Sequence, residues 1–186
     1  MITIRTLSKE DIRPIIQLCR ATYPESWPWY RGQFESQLEI FPKGQFVAVD
    51  SERDDALIGM AACLVLRFAD YPSDASWGEL TDHGHFSNHD PIHGDTLYGA
   101  EIMVHPDYQG KGVGKMLYRA REELLRQLGL KAIRAGARIS GYRDYLSVEP
   151  LATPEEYVAC VVSGEVRDPT LSFQLKQGFR VLSVVP

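Results

Sequence analysis

The sequence predicts an α/β (α+β) fold: a mixed, mostly antiparallel central sheet of about six to seven strands flanked by helices, in one domain spanning residues 1–186. Three observations lead there. Segments of β-like apolar character alternate with segments whose apolar residues recur every three or four positions. The chain is 44% hydrophobic and 24% charged, an ordinary balance for a packed core. No internal repeat, low-complexity run or linker-like stretch divides it.

Ile2 and Ile4 alternate with Thr3 and Arg5 as in a half-buried strand, and Ser8-Lys-Glu-Asp11 then has the form of a capping box. The helix it opens carries Ile12, Ile15, Ile16 and Leu18 and stops near Tyr23-Pro24. A second, shorter helix is expected over Trp27 to Ile40, where Trp29, Phe34, Leu38 and Phe41 fall at near-helical spacing. Gln45 to Asp50 and Leu57 to Phe68, separated by the polar turn Ser51 to Asp55, predict a β-hairpin. Ala69 to Asp95 is polar and far longer than an ordinary connection, so it is expected to be an inserted loop that shapes a site. Thr96 to Val104 is a strand, Gly112 to Leu128 an amphipathic helix closed by Gly129, and Lys131 to Ile139 a further strand. Beyond Gly141, Pro154 to Val162 and Pro169 to Gln177 are expected helices, and Phe179 to Val185 a final strand.

Composition narrows the function. A net charge of -5 argues against binding nucleic acid through phosphate neutralisation, which needs a surplus of Lys and Arg. Cys19, Cys63 and Cys160 are odd in number, widely spaced and set among apolar neighbours, so neither a disulfide framework nor a zinc site is predicted. The N-terminus lacks the basic start and apolar middle of a secretory signal, and the run Leu57 to Leu66 is about half the length of a membrane helix. A cytoplasmic protein without membrane or nucleic-acid partners is expected.

The chemistry concentrates in Val104-His-Pro-Asp-Tyr-Gln-Gly-Lys-Gly-Val-Gly-Lys115, which sets Gly110, Gly112 and Gly114 between a strand end and a helix start. Glycines at alternate positions let main-chain N–H groups converge on an anion, and the helix dipole is positive there. Lys111 and Lys115 add charge. A Walker A loop is excluded by Gln109 and Met116, and the dinucleotide fingerprint by Lys115 or Leu117 at its third glycine. The spacing that fits is Q-x-x-G-x-G, as Gln109, Gly112 and Gly114.

With Val104, Pro106, Tyr108, Gln109, Gly110, Gly112, Val113 and Gly114 in place, the chain resembles the GNAT superfamily of acyl-CoA N-acyltransferases. The resemblance extends to the C-terminal pattern through Asp168, Thr170, Phe173, Gln174, Lys176, Gly178 and Phe179. More narrowly, Asn88 to Pro91, Asp95 to Gly99 and Gly136 to Tyr142 look like the acetyltransferase-like domain found fused ahead of carbon–nitrogen hydrolases. The resemblance implies an acyl-CoA cosubstrate, acetyl-CoA first, with no metal. Its pyrophosphate would be gripped by Gln109, Gly110, Lys111, Gly112, Val113, Gly114 and Lys115, its pantetheine arm would lie along the strand ending at Val104, and its thioester carbonyl would meet a backbone N–H near Met103. The acyl group would pass to a primary amine of a small molecule or protein.

Three before Val104, Glu101 is the residue expected to take the amine proton. The family's tyrosine acid is replaced by Gln174, which cannot donate a proton as an acid, so Tyr98, Tyr142 or water would substitute. That replacement keeps a second reading open, a catalytically silent acyl-CoA-binding sensor. Trp27, Trp29, Tyr30 and Trp77 are candidate walls of the acceptor site. His83, His85, His89, His93 and His105 lack metal-ligand spacing. The family completes a hairpin after Gly-Phe, so this chain is expected either to be part of a longer one or to take an edge strand from a partner, a homodimer included.

Overall fold

The structure, a computed structural model, describes residues 1–25 and 29–185, and the chain forms two compact units, Met1–Ala135 and Gly136–Pro186. In the first unit, strands β1 (Ile2–Thr6), β2 (Gln45–Asp50), β3 (Ala56–Leu66), β4 (Thr96–Val104) and β5 (Ala132–Ala135) stand in one sheet in sequence order. The first four are antiparallel, and β5 joins β4 in parallel. Helices α1 (Ile12–Thr22), α2 (Arg31–Ile40), α3 (Trp77–Thr81) and α4 (Val113–Leu128) complete the unit.

Both faces of the sheet are covered, which explains why β2 and β3 read as continuous apolar runs. Alternation sorts them, apart from Ile58, the extra residue where the β2–β3 register shifts between Ala48 and Val49. Val47, Val49, Met60, Ala62, Leu64 and Leu66 pack with Ile12, Ile15, Leu18 and Cys19 of α1 and Phe34 of α2. Phe46, Ala48, Ile58, Ala61, Cys63 and Val65 pack with Val113, Leu117 and Leu124 of α4. Ordinary burial energetics, about 25 cal/mol per Å² of apolar surface, make these two layers the main source of stability.

The helix ends follow local chemistry. Asp11 accepts from the Ser8 N–H at 2.8 Å and pairs with Arg5 at 2.6 Å, so the predicted box opens a single 3-10 turn before α1. Gly112 caps the start of α4 with φ +86°, and Gly129 its end with φ +66°. Helix α2 starts at Arg31, and residues 26–28, including Trp27, lie outside the described residues.

The long segment 69–95 is built rather than slack. Ser76 caps α3, whose Glu79 reaches back to the Ser76 N–H at 2.8 Å. The Asn88 amide donates to the Tyr71 hydroxyl and to the carbonyls of Glu79 and Leu80, each at 2.9 Å. Phe86 is fully buried, and His89 stacks on Phe41 at 4.2 Å with its Nδ1 accepting the Val65 N–H.

In the second unit, α5 (Tyr142–Tyr145), α6 (Pro154–Ser163) and α7 (Leu171–Lys176) pack Tyr157, Val158, Val161 and Leu171 together. Asp168 is buried; it accepts from Gly141 N–H, the Tyr157 hydroxyl and the N–H groups of Thr170 and Leu171.

Two strand expectations are corrected. The segment 131–139 is a strand only over Ala132–Ala135, and 179–185 has no strand pairing, so the sheet has five strands rather than six to seven. An alternating apolar pattern supplies faces, but a strand also needs a partner ladder, which residues 179–185 do not find among the described residues.

Candidate functional site

The turn from β4 into α4 is tied down from below. Pro106–Tyr108 make one 3-10 turn, started by His105, whose Nδ1 accepts the Asp107 N–H at 3.2 Å. The Tyr108 hydroxyl donates to Asp50 at 2.8 Å, anchoring the turn to the end of β2. That bond holds the Asp50 carboxyl below the usual carboxylate range and pushes the Tyr108 phenol up. The Gln109 amide donates to the Val104 carbonyl at 3.3 Å, bridging the two ends of the turn.

Above this base the chain takes left-handed backbone at Gly110, φ +74°, and Gly112, φ +86°, where side chains other than glycine are strained. A Cβ at either position would meet nothing within 4 Å, so the outer side of the turn is open to an approaching group. No side chain caps α4, and its first bond from this end runs from Met116 N–H to Gly112 O at 3.1 Å. The N–H groups of Val113, Gly114 and Lys115 therefore have no partner within the helix. Lys111 and Lys115 are exposed, with the Lys111 ammonium 4.9 Å from the Tyr108 ring centre. Directed amides, helix dipole and two cations suit a diphosphate.

The adjoining strand loses its β5 partner partway along. β4 pairs with β5 only over Thr96–Gly99, opposite Ala132–Ala135, and this pairing stops before Glu101, Met103 and Val104. On the other edge the β3 register slips between Ala62, opposite Glu101, and Cys63, opposite Gly99, which leaves Ala100 as the extra residue of a bulge. Beyond Gly99 no strand pairs with β4 on that side among the described residues, and an extended amide-bearing chain could add there.

Glu101 is half-buried on the α1 face and held by several donors: the Tyr23 hydroxyl at 3.1 Å, the Trp29 indole N–H at 3.2 Å and the Ile102 N–H at 3.0 Å. Around it, Trp29 stacks on Phe34 and meets Trp77 edge-on at 5.4 Å, and the Trp77 indole donates to the Ala100 carbonyl at 2.9 Å. Trp77 is 40% exposed and Tyr30 54%, with Tyr30 against His85. Met103 is buried with its sulfur 3.7 Å from that of Cys19, and Val104 is half-buried at the end of β4.

Of the remaining candidates, Tyr98 is buried beside Phe68, and burial pushes its phenol up to about 12. A proton donor works best with a pKa near the working pH, so this burial weakens Tyr98 as an acid. Tyr142 belongs to the second unit, where its hydroxyl donates to the Ala152 carbonyl at 2.6 Å. Gln174, also there, is buried with its amide 3.4 Å from the Gly136 carbonyl. Among the described residues no three His, Cys, Asp or Glu side chains cluster as a metal ion would require, and no helix is long and apolar enough to cross a membrane.

Sequence reasoning missed Tyr23 and Arg121. In the sequence Tyr23 marks only the place where α1 stops. Arg121 carried a signal, since it stands between Leu117 and Leu124 on the apolar stripe of α4, where a charge is out of place; it is fully buried.

Comparison with known proteins bears on the same residues. A profile of the Acetyltransferase (GNAT) family matches residues 10–142. The chain is 40% identical over 183 residues, 98% of its length, to the probable hydrolase YhcX of Bacillus subtilis, and spans 34% of that protein. It is 34% identical over 188 residues to YkwB of the same organism, an uncharacterized N-acetyltransferase, covering 99% of this chain and 80% of that one. The partial span of YhcX agrees with the likeness to an acetyltransferase-like domain joined to a hydrolase. Among solved structures, the loading GNATL domain of CurA from Lyngbya majuscula superposes with a TM-score of 0.79 at 18% identity, covering all of this chain and 88% of that one. GphF, a GNAT-like decarboxylase in complex with isobutyryl-CoA, gives 0.76 at 20% identity, covering 98% and 88%. These two share the fold.

Proposed function

The chain belongs to the Acetyltransferase (GNAT) family, and from that premise we propose that it transfers the acyl group of an acyl-CoA, acetyl-CoA first, to a primary amine by direct attack. The observation that carries this reading is the glycine turn. Two left-handed glycines with open space above them lie between the part of β4 beyond its β5 pairing and the amides opening α4, so one ligand could place its diphosphate on the turn and its amide arm along the strand. The coenzyme supplies the activated acyl thioester.

The protein's own part is to hold the anion at Gly110 to Lys115, to offer a backbone N–H near Met103 to the thioester carbonyl, and to keep Glu101 beside the incoming nitrogen. As the nitrogen bonds to the acyl carbon, the carbon–sulfur bond breaks, Glu101 accepts a proton from the nitrogen, and the thiolate leaves and is protonated. Because Tyr98 is a weak acid, we assign that last proton to water rather than to Tyr98 or Tyr142. The exposed rings of Trp77 and Tyr30, with Trp29, support an acceptor whose amine is carried on an apolar or ring-bearing body.

The test follows thiol release from acetyl-CoA by the purified chain with a panel of primary amines. Release should require an amine and fall at least about a hundredfold in Glu101→Gln, the usual scale for removing a general base. Thiol release by no amine, together with tight CoA binding, would replace this reading with the silent sensor; a reaction confined to the acyl chain, as the name of the GphF decarboxylase indicates for that protein, would also release no thiol.

A further inference from the structure

The guanidinium of Arg121 lies fully buried beneath the bulge of β4. Taking a cation out of water costs several kcal/mol unless good partners replace the lost hydration, so those partners indicate what it is for. Its Nη2 donates to two carbonyl oxygens, Ala62 at 3.0 Å and Glu101, which face one another in the β3–β4 register at the slip. Gly99 makes room for it, because a Cβ there would stand 3.0 Å from Nη1. Nε and Nη1 find no carbonyl or carboxylate partner among the described residues, and the buried Cys63 thiol stands beside the guanidinium.

A plug for two carbonyls need not be charged; a neutral amide would serve. What distinguishes this arrangement is that the peptide between Glu101 and Ile102 is engaged at both ends. Its carbonyl accepts from Arg121, and its N–H donates to the Glu101 carboxylate at 3.0 Å. Cation, peptide and carboxylate thus stand in series, and hydrogen bonds linked this way polarise and strengthen one another in a poorly hydrated setting. The same carboxylate is gripped from the far side by Tyr23 and Trp29.

We propose that Arg121 is a positioning residue that aims Glu101: by holding the carbonyl of the 101–102 peptide it fixes the bulge and presents the Ile102 N–H that locks the carboxylate. The proposal rests on the role given to Glu101 above, but its test does not depend on turnover alone.

The test pairs Arg121→Met, which removes charge and donors, with Arg121→Lys, which keeps a cation with donors on a stem one bond shorter. In Arg121→Met, exchange of the Ile102 amide should rise at least about tenfold more than that of Val47 and Met60, the scale expected for losing a charge-assisted bond at one place. With an amine that wild type acylates, kcat should fall by a similar factor while the Kd for CoA stays within about threefold, and Arg121→Lys should recover part of both readouts. Equal acceleration at Ile102, Val47 and Met60, an unchanged kcat, or a Lys variant that behaves like Met would overturn the proposal. If wild type binds CoA and turns over no amine, the acyl-transfer reading fails and the exchange pattern alone decides. Should Arg121→Met not fold, Gly99→Ala takes its place, since it crowds the guanidinium aside and should loosen the same amide.

Discussion

Replacing Gly112 by alanine and by glutamate separates the two things its position does. The residue sits at φ +86° with nothing within 4 Å of a built Cβ, so either side chain fits sterically and both carry the same backbone strain. That strain is about 1–2 kcal/mol for a residue held in left-handed backbone. At 2–4 °C per kcal/mol for a chain of this size, Tm should fall by about 2–8 °C in both variants. Affinity for CoA should part them. Alanine leaves the amides and the dipole in place, whereas glutamate brings an anion to within reach of the diphosphate. Two unit charges 4 Å apart repel by about 4 kcal/mol at an effective dielectric of 20. Exposure and salt reduce this to about 1.5–3 kcal/mol, roughly tenfold to a hundredfold in Kd. Titration calorimetry with CoA at fixed ionic strength measures it, alongside melting curves. If Gly112→Glu matched Gly112→Ala in Kd while both variants remained folded, the anion would not be held at this turn.

Other expectations follow from the same geometry. Tyr98→Phe should lower kcat by less than about tenfold, because a phenol pushed up to about 12 by burial is a poor proton donor; steady-state thiol release checks this, and a loss of a thousandfold would return Tyr98 to the mechanism. Gly99→Ala should lower Tm by about 2–12 °C, since a Cβ 3.0 Å from the Arg121 guanidinium overpacks a buried site at about 1–3 kcal/mol, and an unchanged Tm would mean that the site yields freely. Burial holds His89 below its ordinary pKa near 6.5, with its neutral Nδ1 accepting the Val65 N–H. The unfolded chain then binds the proton more readily than the fold, so stability should fall as pH drops below about 6.5. Comparing Tm at pH 7.5 and 5.5 in wild type and His89→Gln tests this, with the smaller drop expected in the variant.

The sequence by itself determined whatever depends on neighbours along the chain. Gly112 and Gly129 mark the ends of α4 because only glycine adopts left-handed backbone cheaply, and Ser8 with Asp11 opens the first helical turn because the Asp11 carboxylate can reach back to the Ser8 N–H three residues before it. The unbroken apolar run Phe46 to Val49 marked β2 as a buried strand, while packing decided which of its residues meet α1 and which α4. The glycine spacing likewise placed the anion turn before any contact was known. Tertiary structure decided what depends on partners far away in sequence. Whether 179–185 becomes a strand is a question of a ladder to pair with, and no local pattern answers it. The slip that leaves Ala100 unpaired, the end of β4–β5 pairing at Gly99, and the grip of Tyr23 and Trp29 on Glu101 across more than seventy residues of chain all arise from packing. Arg121 shows the division most sharply: its place on an apolar stripe was visible as an anomaly, but only the bulge beneath which it lies gives that charge its partners.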